Sequence, residues 1–316
     1  MSRWLVTGAG GMLGREVLAV LSRDPAARVT GATRAALDIT DAAAVRAAVA
    51  EHDIVINAAA WTDVNGAEAH EEAAAEINGR GVRTLASACA TVAAPLVHVS
   101  TDYVFPGRSA VPYAENAATG PVNAYGRGKL VGERAVAELL PRTGYVVRTA
   151  WLYGTHGRNF VRTVLDRAAA GEPLRVVDDQ YGQPTWAGAL AERLAELGRR
   201  ALDGRAPGGI YHGTATGRTT WCALARGAGA GRVRPGVRPA RHQPGLPEPG
   251  APPRVQRAGP RPVGARGLPP MAHWTDMLAQ ALPPGARTPW LRGVDDVRAV
   301  PVNGTDLGPR LPGVRA

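Results

Sequence analysis

The chain is poor in several residue types. Lysine occurs once in 316 residues, at Lys129, while arginine occurs 36 times. Cysteine occurs twice, as Cys89 and Cys222, too few for a disulfide framework, so both are expected as core thiols in a reduced compartment. No run approaches the roughly 20 apolar residues that a membrane span needs. The opening Met-Ser-Arg-Trp leads straight into a strand-like segment, with no charged and apolar leader, so a cytoplasmic chain is expected. Disorder is excluded for most of the chain, because 45% of residues are hydrophobic and 20% charged, close to ordinary globular composition. A length of 316 residues allows one large domain or two modest ones.

What is abundant is positive charge, with a formal net of +10. Its position decides its meaning. Residues 1–222 hold 23 basic and 22 acidic residues, whereas residues 223–316 hold 14 arginines against 5 acids. Within 226–267 there are nine Gly, nine Pro and nine Arg, with Glu248 the one acid, and no helix or strand period survives. A solvated loop, a basic arm and a segment read out of frame from a G+C-rich gene all fit that mixture. The stretch lacks aromatic residues on which bases could stack, so nucleic acid is not an expected partner. The out-of-frame reading best accounts for order resuming at Gly267, since loops of this length are rare inside compact domains.

Before that stretch, strands and helices alternate. Strands are expected at 4–7, 28–33, 54–57, 96–100, 145–149 and 174–177. Helices are expected at 15–23, 42–51, 68–90, 123–140, 160–170 and 186–202, with another at Met271–Leu282. The alternation predicts an α/β fold, a doubly wound parallel sheet of Rossmann type, followed by a small C-terminal substrate-binding domain. The expected division is 1–150 for the nucleotide-binding part, 151–282 for the substrate side and 283–316 as a tail.

Two spacings carry chemistry. Thr7-Gly8-Ala9-Gly10-Gly11-Met12-Leu13-Gly14 lies between the first strand and the first helix. Glycines there allow a tight turn, close approach of a pyrophosphate and close helix–strand packing, while the helix N-terminus offers N–H donors. The candidate cofactor residues are therefore Gly8, Gly10, Gly11, Met12, Leu13 and Gly14. Ala58, Ala59 and Ala60 join them, because their small side chains let a cofactor lie flat over the third strand's end. Asp38 and Ile39 are placed against the adenine. Arg34 stands where an NAD-selective site would carry an acid, and a guanidinium suits a 2′-phosphate, so NADPH is favoured and NADH is the alternative.

The second spacing is Tyr125-Gly-Arg-Gly-Lys129, opening a predicted helix. Residues four apart share a helix face. An ammonium beside the phenol would lower its pKa, and Tyr125 could then protonate a carbonyl oxygen that Thr101 or Ser100 also binds. The chain's one lysine falls at this position, where arginine would be too broad and would hold its proton too firmly. Tyr125 and Lys129 thus count as both catalytic and cofactor-binding candidates, with Thr101 completing a triad. No metal site is expected.

With these residues in hand, the chain resembles the dTDP-4-dehydrorhamnose reductase family of the extended short-chain dehydrogenase/reductases. The resemblance rests on Thr7–Gly14, Asn57–Val64, Ser100–Phe105, Tyr125–Lys129, Arg148–Gly154, Asn159-Phe160 and, most specifically, Asp178–Thr185. It implies NAD(P)H-dependent reduction of the C4 ketone of a dTDP-4-dehydro-6-deoxy-sugar. It also places Asp102, Tyr103, Trp151 and Gln180 near that dTDP-sugar and leaves room for a homodimer. A reductase of the dTDP-dihydrostreptose synthase type, acting on a ring-contracted sugar, fits the same motifs. A regulatory subunit that binds NADP without turnover fits the fold, but retention of Thr101, Tyr125 and Lys129 argues against it. Two departures stand out: Asn65-Gly-Ala-Glu68 replaces the family's Asp-Lys-Ala-Glu, and an Arg-Pro-x-x-Ser-x-Leu segment is absent from 226–267.

Overall fold

Alternate residues of the first strands point to opposite faces, and both faces are apolar. The computed structural model describes residues 1–109, 111–229, 233–236 and 268–282. β1 (Ser2–Thr7) sends Trp4 and Val6 to one side and Leu5 to the other. β3 (Ile54–Asn57) does the same with Ile54 and Ile56 against Val55. A strand buried on both faces needs helices on both. α1 (Met12–Leu21) and α8 (Ala187–Leu202) cover one face through Val17, Leu21, Leu190, Leu194 and Leu197. α2 (Ala42–Ala50), α5 (Val82–Val92) and α6 (Ala124–Leu139) cover the other through Val45, Val49, Leu85, Cys89 and Val136.

The central sheet is six-stranded and parallel, in the order β10-β5-β4-β3-β1-β2, with β2 at Ala27–Ala32, β4 at Leu96–Thr101, β5 at Gly144–Thr149 and β10 at Gly209–His212. The chain leaves β1 toward β2 and then crosses back to β3. Strand order therefore reverses beside β1, and a crevice opens at the carboxyl ends of β1 and β3.

Three expectations need correction. The strand expected at 174–177 forms as β7 (Leu174–Val177) but stays out of the central sheet, pairing instead with β12 (Val233–Gly236). The sixth central strand is β10, whose four residues between Pro207-Gly208 and Gly213 are too few to show a period. The single helix expected over 68–90 is broken into α3 (Val64–Ala69), α4 (Glu71–Ala75), a π-helical turn (Glu76–Gly81) and α5.

Beyond residue 150 lie β6 (Leu152–Tyr153), paired with β9 (Thr185–Trp186), and β8 (Tyr181–Gly182), paired with β11 (Thr219–Thr220). The helices are α7 (Phe160–Ala169), α9 (Trp221–Gly227) and α10 (Trp274–Ala281). Regular structure thus continues past Cys222 through α9 and reappears at β12, inside the stretch expected to be irregular; the rest of 230–267 and all of 283–316 lie outside the described residues. α10 matches the expected Met271–Leu282 helix, three residues later at its start. One apolar cluster runs from Trp4 and Val17 through Val164 and Leu224 to Trp274, Met277 and Leu278. Both cysteines are buried and free, and burial pushes the Cys89 thiol up to about 12.

Candidate active site

The crevice at the strand ends is a cavity of about 740 Å³. Gly8, Gly10, Gly11, Met12, Leu13, Gly14, Arg34, Asp38, Ile39, Ala58, Ala59 and Ala60 all line it, as do Thr101, Asp102, Tyr103, Tyr125, Lys129 and Trp151. Gln180 does not line the cavity; it is buried in the segment between β7 and β8.

The glycine turn is built as its spacing requires. Gly8 has φ +68°, and a Cβ there would lie 2.5 Å from the Ala59 nitrogen, so this turn accepts no side chain. At Gly14 a Cβ would sit 2.2 Å from the Gly8 carbonyl oxygen, which locks the start of α1 onto the turn. Gly11 is the N-cap of α1 and contributes no side-chain cap, leaving the first-turn N–H groups to face the cavity's glycine edge. At Gly10 a Cβ would meet only Thr33, at 3.6 Å, so the space beside it is open. These residues fit a dinucleotide: open backbone donors, a positive helix end and a flat Ala58–Ala60 floor. The Asp38 carboxylate is turned onto Thr40, taking its N–H at 2.9 Å and its hydroxyl at 2.8 Å, and these bonds hold its pKa below the usual carboxylate range.

At the other end, Thr101 closes β4 and its hydroxyl accepts the Tyr103 N–H at 3.2 Å, capping a 3₁₀ turn (Asp102–Val104). The same hydroxyl donates to Asp102 Oδ1 at 3.2 Å. Asp102 Oδ2 is buried with no partner. Burial pushes the Asp102 carboxyl up to about 7, against the pull of these hydrogen bonds. Ser100, the alternative to Thr101, has its hydroxyl committed to Glu133 at 2.6 Å.

Asn123 caps α6 by accepting the Gly126 N–H at 2.7 Å, and Glu68 accepts the Ala124 N–H at 2.7 Å. Glu68, the last residue of the departing Asn65–Glu68 segment, thus helps to seat this helix. Tyr125 and Lys129 then reach the cavity one turn apart. The expected lowering of the phenol is not found. Burial pushes Tyr125 up to about 12, the Asp102 charge adds to this, and the Thr101 hydroxyl opposes it. Lys129 Nζ is instead turned to the Val99 carbonyl oxygen at 2.7 Å, and its own pKa falls to about 8 through burial, with the Glu133 charge pulling it back up. A phenol at about 12 keeps its proton at neutral pH, the state a proton donor needs.

Trp151 holds φ +44°, a left-handed conformation that is costly for a bulky residue. Its indole stacks on Trp221 at 3.6 Å between centroids, and Phe160 meets Trp221 edge-on at 4.6 Å. A Cβ at Gly182 would lie 2.1 Å from the Trp151 ring, so β8 must carry glycine there. Trp221, Thr149, Arg158 and Asn159 also line the cavity. Asn159 stood in a motif. Trp221 gave no sequence signal, since its place depends on how α9 packs. Among the described residues, no group of three or more His, Cys, Asp or Glu side chains could hold a metal, and no helix is long and apolar enough to cross a membrane.

A glycine turn at the reversal of a parallel sheet, with tyrosine and lysine one turn apart across the crevice, defines a dinucleotide-binding fold of the short-chain dehydrogenase/reductase type. The chain belongs to the family described as RmlD substrate binding domain, whose model matches residues 2–283. It is 52% identical over 289 residues to a dTDP-4-dehydrorhamnose reductase of Streptomyces griseus, covering 89% of this chain and 93% of that relative. It is 48% identical over 289 residues to a dTDP-4-keto-6-deoxy-D-glucose reductase of Streptomyces niveus, covering 89% and 96%. The fold also matches the crystal structure of dTDP-4-dehydrorhamnose reductase from Bacillus anthracis in complex with NADP, with TM-score 0.78, 31% identity and coverage of 89% of this chain and 98% of that one.

Proposed function

We propose that this protein reduces the C4 ketone of a dTDP-4-dehydro-6-deoxy-sugar with NADPH, with NADH as the alternative donor. The observation that carries the reading is convergence: the glycine turn, the Tyr125–Lys129 pair and the Thr101–Asp102 step all line one cavity. The names of the relatives support the substrate class, and the NADP complex of the Bacillus anthracis structure supports the cofactor.

When bound, the nicotinamide supplies a hydride to the carbonyl carbon. Tyr125 donates the phenol proton to the carbonyl oxygen as negative charge develops there. The Thr101 hydroxyl orients the same oxygen. Lys129 holds the cofactor's ribose and stands one turn from the phenol. Arg34 faces a 2′-phosphate, and the first-turn amides of α1 take the pyrophosphate. Asp102 reads a sugar hydroxyl with its unpartnered oxygen, Tyr103 lies beside it, and the Trp151 face lies against the pyranose. Gln180, buried in the segment between β7 and β8, stands as a substrate-side candidate outside the cavity's lining. Two free, buried cysteines accord with a cytoplasmic setting.

The test is NADPH consumption with a dTDP-4-keto-6-deoxyhexose, with the product sugar identified by mass and NMR. That product also separates a six-membered from a ring-contracted substrate. Tyr125→Phe is expected to leave NADPH binding nearly intact and to lower kcat on the order of 10²-fold or more. Unchanged turnover in that variant would remove Tyr125 from the role of acid.

A further inference from the structure

Buried polar side chains of a folded protein find hydrogen-bond partners, so each exception calls for a cause. Among the described residues, two buried side-chain atoms without a partner belong to residues that line the cavity: Asp102 Oδ2 and Thr149 Oγ1. Asp102 already has a place in the proposed reduction. Thr149, the last residue of β5 and only 8% exposed, has none.

Strand alternation sets the side to which that hydroxyl turns. Arg148, one residue earlier, sends its guanidinium to Glu133 on the α6 face of the sheet. Tyr145 and Val147 face the other way, into the cluster that holds the α1 and α8 side chains, and Thr149 continues their side. Parallel pairing puts Thr149 in register with Thr101, the last residue of β4. The two threonines differ in what they have committed. Thr101 donates its one hydroxyl proton to Asp102 and accepts the Tyr103 N–H. Thr149 donates to no described group and accepts from none, which leaves it one donor and its acceptor lone pairs at the cavity.

The order of the strands decides which part of a ligand reaches it. The candidate cofactor residues follow the sheet: Asp38 and Ile39 beyond β2, the glycine turn beyond β1, and Ala58–Ala60 beyond β3. β4 and β5 come next in that order, so Thr101 and Thr149 stand at the end of the path, where Tyr125 and Lys129 also reach the cavity. The opposite side of the cavity comes from beyond residue 150, with Trp151, Trp221, Arg158 and Asn159. We propose that Thr149 binds the carboxamide of the nicotinamide ring through its hydroxyl and so fixes the rotation of that ring beside Tyr125. A carboxamide carries an acceptor oxygen and N–H donors, so it complements an uncommitted hydroxyl in either direction. The inference rests on the cofactor reading above and adds a binding residue to it.

The test is calorimetric titration of the full chain with two ligands: NADPH, and 2′-phospho-ADP-ribose, which lacks the nicotinamide ring. Thr149→Val keeps the side-chain shape and removes the hydroxyl. It is expected to bind NADPH about threefold to tenfold more weakly than the wild type, the worth of one neutral hydrogen bond, and to bind 2′-phospho-ADP-ribose equally well. Thr149→Ser, which keeps the hydroxyl, is expected to stay within about twofold of the wild type for both. The free variant's urea midpoint is expected at or above that of the wild type, since a buried hydroxyl without a partner has no bond to lose. Should Thr149→Val fail to fold, Thr149→Ala against Thr149→Ser makes the same comparison. Equal loss for both ligands overturns the proposal. So does unchanged NADPH binding, with the loss appearing instead in KM for the dTDP-4-keto-6-deoxyhexose, which would turn the hydroxyl toward the sugar. None of the titrations needs turnover. A wild type that binds neither ligand overturns the cofactor reading itself, whereas variants that bind both ligands as the wild type does remove only Thr149.

Discussion

At the scale of single residues, the site is governed by desolvation more than by ion pairing. Asp102 shows this most simply. Its carboxyl is buried, bonded on one oxygen to Thr101 and bare on the other, and stands at about 7. A folded-state pKa above the unfolded value near 3.9 means that the folded protein holds the proton more tightly. Stability from this group is therefore complete at low pH and is lost as pH rises toward 7 and beyond. Asp102→Asn removes that dependence. The variant is expected to gain on the wild type by about 2–3 kcal/mol between pH 5 and pH 8, read from urea denaturation at each pH. A constant difference across that range would mean that the carboxyl is ionised throughout. The sequence placed Asp102 beside the candidate substrate only through the resemblance to the reductase family. It could not show that the carboxyl is almost wholly buried, since that depends on α6 packing against the turn that carries it. Tyr125 misled for the same reason. The i,i+4 spacing correctly put phenol and amine on one helix face, but the direction of the lysine is set by Val99 and His98, which no spacing reveals.

Among elements, α6 organises the site. Tyr125, Lys129 and Glu133 follow one another at intervals of four along one stripe. Glu133 takes Arg148 in a two-point bond, Nε to Oε1 at 2.9 Å and Nη2 to Oε2 at 2.6 Å, with both side chains nearly excluded from solvent. Arg148 also donates to the Glu115 carbonyl oxygen at 3.1 Å and lies 4.8 Å above the Phe105 ring, which is stacked on Tyr113. One guanidinium thus clamps α6, β5 and the 102–123 loop. Arg148→Met is expected to cost about 3–5 kcal/mol in chemical denaturation, because it leaves the Glu133 carboxylate buried without a counter-charge. Adding Glu133→Gln is expected to recover part of that loss, and a purely additive double variant would refute the pairing. α6 was legible as a helix from Asn123 to Leu140, since its cap and its apolar stripe are local. The break before α5 was not. Asn78 exchanges two hydrogen bonds with the Trp61 backbone, accepting from its N–H at 2.9 Å and donating to its carbonyl oxygen at 3.0 Å. That tertiary contact accompanies a π-helical turn in a segment whose alanine content alone favours an unbroken helix.

For the molecule as a whole, the last described helix closes a core that begins at residue 4. Thr216 bridges to His273, and the Trp274 N–H donates to the Thr216 carbonyl oxygen at 3.1 Å. Trp274, Met277 and Leu278 are then buried in the same cluster as the α1 and α8 side chains. Trp274→Ala is expected to cost about 3–5 kcal/mol of unfolding free energy, measured in urea. A cost within about 0.5 kcal/mol, as for a surface change, would mean that α10 does not complete this core. The sheet's parallel character was readable from alternation alone, because buried strands are continuous in apolar residues. Its outer strand β10 was not, and neither were the two-residue pairings β6–β9 and β8–β11, whose lengths carry no period.

The face-to-face indoles of Trp151 and Trp221 also give the molecule an optical property. Two transition dipoles 3.6 Å apart couple, so the near-ultraviolet dichroism carries a paired signature from the cavity wall against the background of the other tryptophans. Because both rings line the cavity, a bound molecule is expected to change that signature, a readout that needs no external dye. Binding can therefore be followed by light in the unmodified chain, before any reaction is run.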